Sequence, residues 1–301
     1  MPAVTYSPRV KDAIAEDLPL VALETAVVTH GLPFPQNLEI AREMEEIIIQ
    51  AGAVPASIGM LRGRLHLGLT GTQLEELAQL DEAEKISRRD FGAALLKGSS
   101  GGTTVAGTLT ALKASPIKVF ATGGIGGVHR GGGFDVSADL PALADTRAVV
   151  VCAGAKSILD LPATLEMLET LSIPVVGYQT DHFPAFYARS SGIPVKTRVD
   201  VPREAALLAD HHWALDLESA VLLVVPPPQE DALDDQVMEQ AVEQALEEAE
   251  EAGIKGAEVT PYLLSRVSEI TGGDSLRANL SLLKNNARVA AQTAAALHEL
   301  E

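Results

Sequence analysis

A handful of residues in this chain could do chemistry if the fold gathers them. Glu24 follows directly on the apolar run Leu18–Leu23. A carboxylate there is costly unless it is solvated at the strand's end, paired, or at work. Lys156 ends the stretch Val-Cys-Ala-Gly-Ala-Lys, just past a second apolar run at Ala148–Cys152. A lysine in such surroundings is partly desolvated, which lowers an amine's pKa and yields the neutral nucleophile that forms an imine with a carbonyl carbon. Asp135, Ser137 and Asp139 offer oxygens that suit hydroxyl groups or a hard cation such as Mn²⁺ or Mg²⁺. Gly98–Val105 is a Gly/Ser/Thr loop at the start of a helix, where phosphate binds readily, and Lys85, Arg88 and Arg89 lie shortly before it. Together these features point to lysine-mediated chemistry on a phosphorylated sugar.

Other chemistries lack their residues. The loop has no lysine-serine/threonine ending, so it is not a P-loop, and no H-E-x-x-H, G-x-S-x-G or dinucleotide fingerprint occurs. The single cysteine, Cys152, lies in a predicted strand and reads as a small core residue rather than a nucleophile. It excludes an intrachain disulfide and is compatible with a reducing cytosol. The net charge of −18 argues against a nucleic-acid partner, which needs a basic footprint. A local glycine and lysine site can still hold a small anion against a distant acidic surface. With no signal pattern and no membrane-length apolar run, the expected setting is the cytoplasm, away from any membrane.

The elements that must position these groups read as alternating strands and helices. Val119–Thr122 is a β-branched strand opening into a loop with seven glycines between Gly123 and Gly133. Ligand sites of α/β folds lie at the carboxyl ends of buried parallel strands. The exits after Thr122 and Cys152 therefore bring a polar loop and Lys156 toward one crevice. A helix is predicted over Asn37–Gly52, where Ile40, Met44, Ile47 and Ile48 form one buried stripe. Ala56–Leu61 and Leu65–Leu69 predict a hairpin about Arg62-Gly-Arg64. Thr70 or Thr72 caps a helix through Leu80, with Glu75 in the capping-box position after Thr72. Glu84–Asp90 reads as a charged turn.

Further helices are expected over Thr104–Lys113, Leu165–Leu171, Pro202–Trp213, the acidic Asp231–Gly253, Pro261–Thr271 and Ser275–Glu301, and strands over Ile173–Tyr178 and Val221–Val225. Asp181-His182 reads as a satisfied loop pair ahead of a catalytic one. Asn279, Asn285 and Asn286 interrupt the last apolar pattern. Asparagine is a poor helix former, so at least one of them bonds something specific. With no internal repeat or linker, residues 1–301 read as one three-layer α/β domain.

The strings LETAVVTHGLP, KISRRD, GGTTVAGT, FATGGIGGVHRG, FDVSADL and VVVCAGAKSILDLP follow one another in this order. Gly177–Asp181 and Asn279–Ala287 continue the series. From about Leu18 to the C-terminus the chain thereby resembles the pseudouridine-5′-phosphate glycosidase family, also called indigoidine synthase A-like. Arg130-Gly-Gly-Gly-Phe134 looks shorter than the family's loop, which bears on local substrate contacts.

The resemblance implies a three-layer α/β/α sandwich with a mixed, largely parallel central sheet, assembled as a homotrimer. It implies reversible cleavage of the C–C glycosidic bond of pseudouridine 5′-phosphate to uracil and ribose 5-phosphate, with one Mn²⁺ per subunit. By residue match, Glu24 is the proton donor and Lys156 the nucleophile. Lys85, Val105, Ser137, Ala138 and Asp139 are substrate contacts, His129 and Asn279 are further site residues, and Asp135 is the metal ligand. Ordinary glycosidases use two carboxylates because the leaving group departs through oxygen or nitrogen. A carbon leaving group explains why a lysine imine takes the second carboxylate's place. The competing readings are a lysine-imine aldolase on another sugar phosphate and a non-catalytic sugar-phosphate sensor. Uracil as a substrate separates the first, and retention of Glu24 and Lys156 weighs against the second.

Overall fold

The computed structural model describes residues 4–130, 135–254 and 259–300. Of the stretch Arg130–Phe134, expected to be shorter than the family's loop, residues 131–134 lie outside the described residues. In chain order the strands are β1 (Val4–Tyr6), β2 (Leu20–Leu23), β3 (Val54–Leu61), β4 (Arg64–Leu67), β5 (Glu84–Ile86), β6 (Gly101–Thr103), β7 (Val119–Ala121), β8 (Val128–His129), β9 (Val149–Cys152), β10 (Leu159–Asp160), β11 (Val175–Tyr178), β12 (Thr197–Val199) and β13 (Val221–Val224).

The main sheet runs β1-β4-β3-β2-β7-β9-β13-β11-β12, with β6 on β3 and β5 on β6. Every pairing from β3 through β2, β7, β9, β13 and β11 to β12 is parallel, whereas β3–β4 and β3–β6 are antiparallel. The central strands are buried on both faces, as expected for all-apolar runs such as Val149–Cys152. Helices cover both faces. Asp274–His298 crosses β2, β7 and β9 between Gln36–Gln50 and Pro202–Ala214. The opposite layer includes Val105–Leu112 and Asp139–Ala144, which pack on each other with Leu109, Leu112, Leu140 and Leu143 in the core. The mixed, largely parallel α/β/α architecture is the expected one. None of the described helices is long and apolar enough to cross a membrane.

The structure corrects local details. Thr70, not Thr72, caps Gly71–Ala78, and Gln73 rather than Glu75 closes the capping box. Glutamine at the third helical position returns the same backbone bond as glutamate. The charged stretch at Glu84 begins as β5, whose Lys85 pairs with Gly102 on β6. Asp181 is tied to Arg198 at 2.7 Å and the Thr180 hydroxyl donates to His182 O, so this pair is a satisfied loop. Among the asparagines, Asn286 makes the specific bond: its buried amide donates to Thr122 O at 2.9 Å.

Candidate active site

Three adjacent strand exits build the centre of the site. The register sets Leu23 beside Ala121 and Ala121 beside Val151, so β2, β7 and β9 end together. Glu24 leaves β2, Thr122 leaves β7, and the chain after Cys152 runs on to Lys156. Backbone pairing continues past the strands. Ala153 N–H donates to Gly123 O at 2.8 Å, Ile125 N–H to Gly154 O at 3.0 Å, and Lys156 N–H to Ile125 O at 3.1 Å. The lysine segment is thus an extension of the sheet.

Glu24 is held from both sides. The Thr122 hydroxyl donates to its Oε1 at 2.7 Å. Next in sequence, the buried Thr25 hydroxyl donates to Ile58 O at 2.6 Å and accepts from Thr103 N–H at 3.1 Å. The β6 backbone approaches so closely that a Cβ on Gly102 would lie 2.4 Å from Thr25 O. Burial pushes the Glu24 carboxyl above its ordinary value, while Lys156, the Thr122 hydroxyl and Lys85 pull it back and Asp139 pushes it up. A half-buried acid that holds its proton longer than usual is suited to donating it toward neutral pH. The Lys85 ammonium is held below its ordinary value, by burial first and by Lys156 second, with Glu24 and Asp139 opposing.

Two cavities meet at these groups, and Glu24, Ala26, Lys85 and Lys156 line both. The first, about 690 Å³, is walled by Arg88, Arg89, Val105, His129, Asp135 and the Ser137–Asp139 segment. The second, about 520 Å³, includes His30, Phe186, Tyr187 and Asn279. Glu24, Lys156, Lys85, Val105, Ser137, Ala138, Asp139, His129 and Asp135 therefore share one cavity, and Asn279 stands across the junction in the other.

Asp139 is buried and its carboxylate ties two segments together. Oδ1 accepts from Ala106 N–H and Oδ2 from Gly126 N–H, both at 2.8 Å. Only glycine fits at 126, where a Cβ would come within 2.3 Å of Ser137 Oγ. Asp139 thus aligns the helix start at Val105 with the glycine-rich loop. The Thr104 hydroxyl caps the same helix by accepting from Gly107 N–H.

Asp135 is exposed, with Oδ2 4.0 Å from His129 Nδ1. Among the described residues, no group of three His, Cys, Asp or Glu side chains could hold an ion. One exposed hard oxygen facing an anion-friendly cavity fits a hydrated divalent cation that completes its shell with water and the ligand's own oxygens, not a protein cage.

Sequence reasoning passed over His30, Phe186 and Tyr187, and gave Arg130 no role beyond its place in the glycine-rich loop. His30 lies on the π-helical turn Val27–Gly31, with Nδ1 2.6 Å from Thr29 Oγ1, and burial followed by Lys85 holds its imidazole below the ordinary value. Its place within the run that begins at Glu24 was the available signal. Phe186 and Tyr187 meet edge-to-face at 4.7 Å, and no local pattern announces them. Arg130 clips the lysine loop by donating to Ser157 O and Leu159 O while paired with Glu239.

The family model for indigoidine synthase A like protein matches residues 9–296. A pseudouridine-5′-phosphate glycosidase of Herpetosiphon aurantiacus is 50% identical over 301 residues, covering 99% of either chain. One of Caldanaerobacter subterraneus is 48% identical over 299 residues, covering 99% of this chain and 97% of its own. Among solved structures, the prealnumycin C-glycosynthase AlnA, in complex with ribulose 5-phosphate, superposes with a TM-score of 0.91 at 42% identity, covering 99% of this chain and 97% of that one. An indigoidine synthase A-like protein of Thermotoga maritima gives 0.90 at 36% identity, with 98% and 96% covered. Matched over nearly its whole length, the chain belongs to the indigoidine synthase A-like family.

Proposed function

We propose that this protein reversibly cleaves the C–C glycosidic bond of pseudouridine 5′-phosphate, giving uracil and ribose 5-phosphate through an imine between Lys156 and the opened ribose. The observation that carries this reading is the junction of the two cavities. A half-buried acid and a lysine meet there, between an anion-friendly chamber and an aromatic one. The relatives' names and the sugar phosphate bound to AlnA support it.

In this reading the phosphoribosyl group occupies the larger cavity, its phosphate on Lys85 and the helix start at Val105, its hydroxyls toward Ser137, Ala138 and His129. The base lies across the junction toward Asn279. Glu24 gives its proton to the ring oxygen as the sugar opens and electrons are drawn from the base. Lys156, as the free amine, then adds to C1′. Protonation at C5 of the base releases uracil and leaves the imine, which water hydrolyses. Asp135 with water would hold a Mn²⁺, which when bound supplies positive charge beside the phosphate.

Lys156 suits the nucleophile's place because its main chain is fixed by the extended ladder while its side chain reaches the junction. Assembly as a homotrimer is part of the same proposal, and light scattering would measure it. The deciding experiment is incubation of the protein with uracil, ribose 5-phosphate and Mn²⁺, followed by mass spectrometry. Pseudouridine 5′-phosphate is the expected product, and its absence overturns the reading.

A further inference from the structure

The sheet extension fixes Lys156 from one side only. Its N–H is bonded to Ile125 O at 3.1 Å, and its carbonyl accepts from Leu159 N–H at 3.0 Å, so residues 156–159 form a tight turn just past the ladder. The side chain within the turn does not hold it: among the described residues, the buried Ser157 hydroxyl has no hydrogen-bond partner. Arg130 does. Its Nε donates to Leu159 O at 3.2 Å and its Nη2 to Ser157 O at 3.1 Å, while Nη1 and Nη2 reach Glu239 at 2.5 and 2.9 Å. The hydrogen bonds from Arg130 hold the Glu239 carboxyl below its ordinary value, so both partners are charged at neutral pH. Three parts of the site meet on this fork. Arg130 directly follows β8, whose His129 is paired with Leu159 and lines the larger cavity. Ser157 and Leu159 belong to the lysine's turn. Glu239 lies on the helix Asp235–Glu251, which packs on Val259–Ile270, and that helix brings Leu264 and Ser268 to the base-side cavity.

We infer that Arg130, anchored by Glu239, is a positioning residue for the nucleophile, setting where the Lys156 amine stands relative to C1′; the inference rests on the imine reading above. Arg130 lines a separate cavity of about 380 Å³ with Ser157, Leu159 and Glu239, rather than the two at the junction. From there it acts through the turn and not on the ligand. A planar guanidinium serves two carbonyls and a carboxylate at once, whereas a lysine's compact ammonium on a flexible stem cannot reproduce that fork. A misplacement of about 1 Å at a reacting group costs roughly 10²-fold in rate. Phosphate binding at Lys85 and Val105 does not use the turn. Loss of the fork should therefore fall on the chemical step and spare substrate binding.

The test uses full-length variants with pseudouridine 5′-phosphate and Mn²⁺. Arg130→Met and Arg130→Lys should each lower kcat by about 10–100-fold with KM within about twofold of the parent. Borohydride trapping of ribose 5-phosphate on Lys156 should slow in proportion. Arg130→Ala should regain rate when guanidinium chloride is added at millimolar concentration, because the free ion can take the fork's place against Glu239 and the two carbonyls. Ammonium chloride at equal ionic strength should not restore it. Glu239→Gln should lose part of kcat with KM kept. A parent-like kcat in Arg130→Met, a loss carried by KM alone, or no greater recovery with guanidinium than with ammonium overturns the inference. If the arginine variants do not fold, Glu239→Gln decides, and a parent-like kcat there overturns it. If the parent itself gives no adduct on Lys156, the imine reading falls instead. Hydrogen exchange over residues 153–161 then still decides the clamp, and exchange unchanged between parent and Glu239→Gln overturns it.

Discussion

The Thr122 hydroxyl donates to Glu24 Oε1 at 2.7 Å from the neighbouring strand exit, and it opposes the burial that raises this acid. Removing a donor that favours the carboxylate raises the pKa further. Thr122→Val should therefore move the alkaline limb of the pH–rate profile upward, by about one to two units for a charge-assisted bond of about 1.5–3 kcal/mol. A limb that stays in place would separate Thr122 from the acid.

Glu24 also carries a stability signature. Its folded-state pKa lies above the ordinary 4.5, so the stability it contributes is fully present below that value and is lost as pH rises through the folded one. Glutamine mimics the protonated form at every pH. Glu24→Gln should melt higher than the parent at about pH 8, the gap closing toward about pH 4. Turnover should fall roughly 10²–10⁴-fold. Calorimetry across pH checks the first and steady-state rates the second.

Lys156→Arg keeps the charge but supplies no free amine, since arginine stays protonated. No turnover is expected, with substrate still bound. Borohydride added during parent turnover should fix the ribose 5-phosphate mass on Lys156. Peptide mapping that finds it on Lys85 or Lys97 would falsify the covalent route.

In the proposed binding mode Lys85 meets the phosphate, so unphosphorylated pseudouridine should react poorly, by about tenfold or more in kcat/KM for a contact of about 1.5–3 kcal/mol. Because burial and Lys156 hold its pKa down, its cation is lost at lower pH than an ordinary lysine's. KM for the phosphate should rise along that titration, and Lys85→Gln should flatten the dependence.

Chelation tests the metal. EDTA should abolish activity and Mn²⁺ restore it, while Asp135→Ala should need much more Mn²⁺ or fail to recover. Full activity of a demonstrably metal-free preparation leaves Asp135 as a loop residue.

Apolar run length made the central strands legible: Val119–Thr122, Ala148–Cys152 and Leu18–Leu23 each fall within a residue or two of β7, β9 and β2. Their carboxyl ends located Glu24 and Lys156 by a general rule of α/β sheets. The short strands were hidden. β6 is Gly-Gly-Thr, which reads as loop until one sees that Thr25 O leaves no room for a side chain at Gly102. Asp139 was legible as a charged group of the site, but not the two N–H groups, of Ala106 and Gly126, through which its oxygens also tie the helix start to the glycine-rich loop. Phe186 and Tyr187 reach the site through tertiary packing, with no periodicity to mark them.

Between Glu24 just past β2 and Lys156 beyond β9 stands one strand, β7. Neighbouring strands are held about 4.8 Å apart by main-chain hydrogen bonds, so the backbone ladder acts as a ruler between the two groups. Trimming a core side chain beneath it, as in Val151→Ala, lowers the melting temperature without changing the ruler's length. Each folded molecule should then keep its full rate until it unfolds. On heating, activity and near-UV circular dichroism should disappear together, the enzyme failing all at once rather than fading.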